Sequence, residues 1–258
     1  MQAEADAPVA LVTGGTAGIG LACAGALIEA GTTRVMIVGR TQERGAAALA
    51  HLRQVNSDAD IRFVAADVTN PAGATRAAES CIASFGRIDT LLSCAGGNPL
   101  PRLLHQIPID DVPSTIGAIT SGVILPARAV LDQMNRQNKG SIICVASDAG
   151  KVATPGETLI GAAMAAIAMF CRALAVEAKR SGIRVNCLTP SVVRNTPFYD
   201  LLMSDPFSSR LFSKAESRAQ LGVVEPSDVA AAAVFLASPA AARITGQTIS
   251  VNGGISAA

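Results

Sequence analysis

The 258-residue sequence predicts an α/β fold, a single domain built on a doubly wound parallel sheet of about seven strands with helices on both faces. Three observations carry this expectation. Short apolar or β-branched runs alternate with longer helical patterns from one end of the chain to the other, as parallel strands joined by crossover helices require. A glycine-rich turn, Thr13-Gly-Gly-Thr-Ala-Gly-Ile-Gly20, separates the first strand-like run from the first helical one. No proline-, glycine- or serine-rich linker divides the chain, so 1–258 reads as one domain with a flexible N-terminus over 1–7.

The first strand ends at Thr13, and a small-residue helix follows the turn (Leu21, Ala22, Ala24, Ala26, Leu27, Ile28). Arg34–Val38 is a second strand between Gly31 and Gly39, and Thr41 caps a helix to about Gln54. Ile61–Asp67 is a third strand, and Asn70-Pro71 opens a helix to Phe85 with proline in its first turn. Ile88–Ser93 is a fourth strand, ending in Cys94-Ala-Gly-Gly97. A loop from Pro99 to Pro113 precedes a long helix over Ser114–Asn135. Gly140–Ala146 and Ile183–Leu188 are the fifth and sixth strands, with a small-residue helix from Glu157 to Lys179 between them. Helical patterns cover Phe198–Ala219 and Pro226–Leu236, and Gln247–Val251 closes the sheet.

Composition narrows the function. With 50% hydrophobic residues, 16% charged residues and a net charge of +1, the chain is globular and lacks the basic field that nucleic acid or an anionic membrane attracts. The long uncharged run Ala7–Ile28 contains Pro8 and the glycine turn, which excludes a membrane span there. Glu4 and Asp6 stand where a signal peptide would be basic. The six cysteines form no Cys-x-x-Cys pair and sit in apolar surroundings, as reduced residues of a cytoplasmic protein do. The two histidines, His51 and His105, are far apart, so no metal site is expected.

A glycine turn between strand and helix supplies close backbone approach and free N–H groups at a helix start, where the dipole favours a phosphate. This is the Rossmann-like dinucleotide-binding arrangement. By its separated motifs the chain resembles the short-chain dehydrogenase/reductase family over nearly its whole length. The motifs are the turn itself, Asp67-Val68, Ala95-Gly96, Ile244-Thr-Gly-Gln247 and Val251-Asn-Gly-Gly254. The resemblance assigns Gly14, Thr16, Gly18, Ile19, Gly20, Asp67, Val68, Ala95 and Gly96 to cofactor binding. Gly39 and Arg40 stand where an acid would hold the ribose for NAD, so Arg40 favours NADP.

The family's chemistry uses a tyrosine whose pKa a lysine lowers, a carbonyl-orienting serine and a relay asparagine. Here Ser147 is retained, while Ile119, Ile160 and Met164 occupy the asparagine, tyrosine and lysine positions. Cys94, Ser191 and Asn195 depart from the pattern at the nicotinamide end, with Thr196 one place late. Tyr199, the one tyrosine, has Met203 rather than lysine a turn later and reads as a residue packing a loop. Lys151, His105 and Glu157 read as solvated loop residues that approach the cleft. The expectation is therefore a non-catalytic subunit with weak or absent NADP or NAD binding. It would support a catalytically active relative in a hetero-oligomer, a tetramer, through the two long helices. The precedent is the inactive subunit of a hetero-oligomeric family member acting on a CoA thioester in aromatic-compound degradation. The alternatives are an NADP-dependent oxidoreductase using Ser147 with an unusual acid, and a cofactor-sensing binding module.

Overall fold

Side chains alternate across β1 (Val9–Thr13), and all five of its residues are buried, because both faces of the sheet are covered. Val9 and Leu11 enter one apolar cluster, Ala10 and Val12 the other. The computed structural model describes residues 7–97 and 99–258. Residues 1–6 of the segment expected to be flexible lie outside the described residues.

The remaining strands are β2 (Arg34–Gly39), β3 (Asp60–Ala65), β4 (Thr90–Ser93), β5 (Gly140–Val145), β6 (Ile183–Pro190) and β7 (Thr248–Val251). They form one seven-stranded sheet in the order β3-β2-β1-β4-β5-β6-β7. Every pairing is parallel. On one face lie α1 (Gly18–Glu29), α2 (Gln42–Val55) and α8 (Pro226–Ala237), burying Leu27, Leu52 and Leu236. On the other lie α3 (Pro71–Phe85), α4 (Asp111–Gln137) and α5 (Thr158–Ala178), burying Phe85, Val123 and Ile167. Strand order reverses between β1 and β4, which leaves a crevice beyond their carboxyl ends. A third cluster of Val192, Leu202 and Phe212 caps that crevice from α6 (Pro197–Ser204) and α7 (Pro206–Glu216).

Two helix boundaries and one cap differ notably from those read in the sequence. The helix α4 starts at Asp111, because Pro113 falls in the first turn, where a missing N–H is harmless. The single helical stretch expected over 198–219 is two helices. Asp205, extended before Pro206, ends one and caps the next by accepting from Ser208 N–H at 2.8 Å. Thr41 stands at the start of α2 as expected, but its hydroxyl makes no cap bond. Both α4 and the α5 helix with its continuation to Ser181 are long and apolar enough to cross a membrane by length and composition, yet each lays one face on the sheet.

Candidate active site

The site is built from the carboxyl ends of β1, β4, β5 and β6. A cleft of about 1070 Å³ opens there, at the upper end of the roughly 300–1,000 Å³ usual for small-molecule pockets. All ten residues assigned to cofactor binding from the sequence line it, as do Ile119, Ser147, Ile160 and Met164.

At its floor the glycine turn is packed too closely for side chains. Gly14 has φ +70, and a Cβ there would meet the Cys94 carbonyl oxygen at 3.1 Å. A Cβ on Gly20 would lie 2.3 Å from the Gly14 oxygen. The α1 helix begins after Ala17, which has no side-chain cap to offer, so its first-turn N–H groups face the cleft without one. Asp67 accepts from the Thr69 hydroxyl at 2.7 Å and the Thr69 N–H at 3.0 Å. Those bonds, with help from the Arg40 charge, hold its carboxyl below the usual range against a small burial penalty. Arg40, Thr41 and Arg44 gather at the start of α2 on the cleft wall, beside Glu43.

Ser147 follows β5 and caps a short 3-10 turn over Asp148–Gly150, accepting from Ala149 N–H at 3.2 Å. Its own hydroxyl hydrogen remains free to donate into the cleft. Ile119 is buried, and Ile160 and Met164 pack on the same apolar cluster. Cys94 lies against Cys23, and that contact and burial hold its thiol well above the usual range, which makes it a poor nucleophile.

The sequence reading of the remaining polar residues needs correction at two places. Glu157 is not solvated. It is half-buried at the start of α5 and lines the cleft. Burial pushes its carboxyl up from 4.5 to about 7, against the lowering effect of a Thr154 hydrogen bond. Tyr199 sits on a helix and lines the cleft, with its hydroxyl donating to Glu216 Oε1 at 3.0 Å. Burial and Glu216 raise its pKa. Glu216 also pairs with Arg194 at 2.9 Å, so the phenol proton is already committed. Lys151 donates to Ser250 Oγ, and His105 is exposed in the turn Leu104–Gln106. Among the described residues no cluster of three His, Cys, Asp or Glu could hold a metal.

One group escaped the sequence reading. Asp148 is buried, and its carboxylate accepts from Asn252 Nδ2, from Ser256 Oγ at 2.6 Å and from Ser250 Oγ at 3.1 Å. These bonds tie the segment after β7, whose Ile255 and Ser256 line the cleft, to the turn that carries Ser147. The available signal was an acid directly after the serine and two hydroxyls flanking Asn252, but nothing in their spacing paired them.

Residues 14–256 match a family profile described as Enoyl-(Acyl carrier protein) reductase. The chain belongs to the short-chain dehydrogenase/reductase family. It is 34% identical over 249 residues to the short-chain reductase protein NovJ of Streptomyces niveus, covering 95% of this chain and 93% of that one. It is 33% identical over 250 residues to the 3-oxoacyl-[acyl-carrier-protein] reductase FabG of Vibrio harveyi, covering 97% and 98%. Its fold matches a solved actinorhodin polyketide ketoreductase variant with NADPH at a TM-score of 0.89 and 28% identity, over 97% and 98% of the two chains.

These relatives overturn the expectation of a non-catalytic subunit supporting an active partner. Chains similar along almost their whole length are reductases, so the family's oxidoreductase chemistry is the better reading. The physical error lay in treating the cleft as emptied of titratable groups. Three polar positions have become apolar, but a partly buried carboxyl, Glu157, lines the same cleft.

Proposed function

We propose that the chain is an NADP(H)-dependent oxidoreductase that interconverts a carbonyl compound and its alcohol through a non-standard active site. One observation carries this reading: the uncapped start of α1 and the free Ser147 hydroxyl open into one continuous cleft at the switch point of the sheet. The residues present fit a dinucleotide. Gly14 and Gly20 let the turn fold tightly where a Cβ would meet backbone, and the α1 N–H groups suit its pyrophosphate. Asp67 and Val68 flank the adenine end, and Arg40 and Arg44 match a 2′-phosphate, so NADP is preferred to NAD. With Cys94, Ser191 and Asn195 at the other end, affinity comes mainly from the adenosine half. Held there, a reduced nicotinamide would supply the hydride for carbonyl reduction. Ser147 donates a hydrogen bond to the carbonyl oxygen and fixes its orientation. Ile160, Met164 and the α6–α7 cap exclude water from the reacting carbonyl. The chemistry takes place in the cytoplasm, in keeping with six free cysteines.

The test is consumption of NADPH by the purified chain with a panel of ketones, β-keto esters and β-keto thioesters. Turnover that Ser147→Ala lowers at least tenfold supports the reading. Its absence with both NADPH and NADH refutes it.

A specific feature favours association with a second chain of this fold, a copy or a relative. Ala162, Ala166, Met169, Ala173 and Val176 recur every third or fourth residue on the exposed face of α5. Met169 and Val176 are 59% and 63% exposed, and small residues between them allow helices to approach to about 8 Å.

A further inference from the structure

We propose that Glu157 is the proton donor of this site, acting as a neutral carboxylic acid in place of a phenol paired with a cation. The inference rests on the oxidoreductase reading above and names the acid that reading lacks.

Geometry places it. Glu157 is the N-cap residue of α5, directly before Thr158, and Ile160 and Met164 follow in the first and second turns of that helix. All three line the cleft that holds Ser147. Glu157 thus precedes the position of the family's tyrosine by three residues and opens into the same cleft. The Gly156 carbonyl accepts from Arg102 N–H at 2.8 Å, which anchors the loop before the helix. The side chain is half-buried rather than solvated.

The surroundings keep it neutral. A helix start favours a carboxylate, yet burial outweighs that preference, and the Thr154 bond only partly offsets it. Several charges on neighbouring elements are engaged elsewhere. Lys151 bonds Ser250, and Asp148 takes Asn252 and Ser256. The Arg102 charge bears on Asp205, and Arg194 is paired to Glu216, which also holds the Tyr199 hydroxyl. Lys214 and Arg218 line the cleft from the cap and are exposed to solvent. A lysine at 164 would pull the carboxyl back toward ionisation, and an asparagine at 119 would bring water into the wall. Met164 and Ile119 do neither.

The step balances. In reduction, a bound reduced dinucleotide would give up a C–H bond as hydride and be left oxidised, the hydride would form the new C–H bond on the substrate, and the C=O π pair would move to oxygen. The Glu157 O–H bond breaks as its proton forms the alcohol O–H, leaving a carboxylate. Water reprotonates it before the next turnover. An acid that titrates near the working pH serves both steps.

Two measurements test this. In chain labelled with ¹³C-glutamate, the carboxyl resonance missing from Glu157→Gln should titrate near pH 7 in the unmodified protein. A midpoint at the ordinary glutamate value overturns the proposal whatever the activity. In NADPH turnover, kcat should fall as pH rises above about 7, and Glu157→Gln should lose about 100-fold or more in kcat and abolish that dependence. KM and NADPH binding by fluorescence should stay within about threefold, and Glu157→Asp should recover part of kcat. A Gln variant that binds NADPH and keeps kcat and the pH limb overturns the donor role while leaving the oxidoreductase reading intact. No turnover by the unmodified chain overturns both.

Discussion

Replacing Glu157 by glutamine should make the protein more stable above neutral pH, and by an amount the structure sets. The carboxyl is held at about 7 in the folded chain against an ordinary 4.5, so the fold favours its protonated form. That preference contributes fully below about pH 4.5 and is lost as pH rises through about 7. A difference of about 2.5 pH units at 1.36 kcal/mol per unit is worth about 3 kcal/mol. Glutamine has the same shape and nothing to ionise. The stability of the unmodified chain relative to Glu157→Gln should therefore decline by about 3 kcal/mol between pH 4.5 and 8. For a chain of this size that corresponds to roughly 5–10 °C in relative Tm. Thermal unfolding of both proteins at pH 5, 6, 7 and 8, without cofactor, measures it. The lowered carboxyls of Asp60, Asp67, Asp205 and Glu216 titrate identically in both and cancel in the difference. Parallel Tm curves for the two proteins from pH 5 to 8 would refute the reasoning, because an exposed carboxyl would behave that way.

Other consequences can be checked separately. Gly20→Val should abolish NADPH binding in calorimetry, because a Cβ there collides with the Gly14 oxygen at 2.3 Å. Arg40→Ala should weaken NADPH by about 1.5–3 kcal/mol through one lost charged hydrogen bond and leave NADH nearly unchanged. Asp148→Asn should cost about 2 kcal/mol in denaturant unfolding and raise KM, since Ser256 and Asn252 lose their common acceptor beside the cleft. Ala166→Glu with Ala173→Glu should shift the sedimentation coefficient toward a monomer; an unmodified chain that is already monomeric at micromolar concentration contradicts the assembly reading.

The central strands were legible because they are buried on both faces and rich in apolar residues. Val9–Thr13 and Ile183–Leu188 needed no tertiary information. Boundaries failed where proline was given the wrong weight. Pro113 read as a loop residue yet sits inside the first turn of α4, whereas Asp205-Pro206 is a visible break that the apolar pattern around Phe207 and Phe212 hid. The phosphate side of the cleft was legible because glycine spacing is local. The proton-transfer side was not, since the state of Glu157 depends on what covers it. Its neighbours in sequence, Pro155, Gly156 and Thr158, look like those of any solvated turn, and the burial that raises its pKa is a property of the folded cleft. Asp148 is similar: its partners lie about a hundred residues away, at 250, 252 and 256.

The apolar replacements and the retained carboxyl are two sides of one electrostatic requirement. A phenol ionises near 10 and a carboxyl near 4.5, so an acid useful at neutral pH must be brought down in one case and up in the other. A nearby lysine does the first and defeats the second. Met164 lies seven residues from Glu157, about 10 Å along the helix at 1.5 Å per residue. A charge at that distance is worth about 1.6 kcal/mol at an effective dielectric of 20, or about one pH unit. Restoring the family's lysine alone would thus shift the Glu157 midpoint toward 6 and shrink the fraction of neutral acid at pH 7. Ile160 matters in the same sense, because a tyrosine hydroxyl there would offer the carboxylate a hydrogen bond and lower it further. In this cleft burial is the main force on the carboxyl, and Met164 and Ile160 bring no charge or hydrogen bond to oppose it.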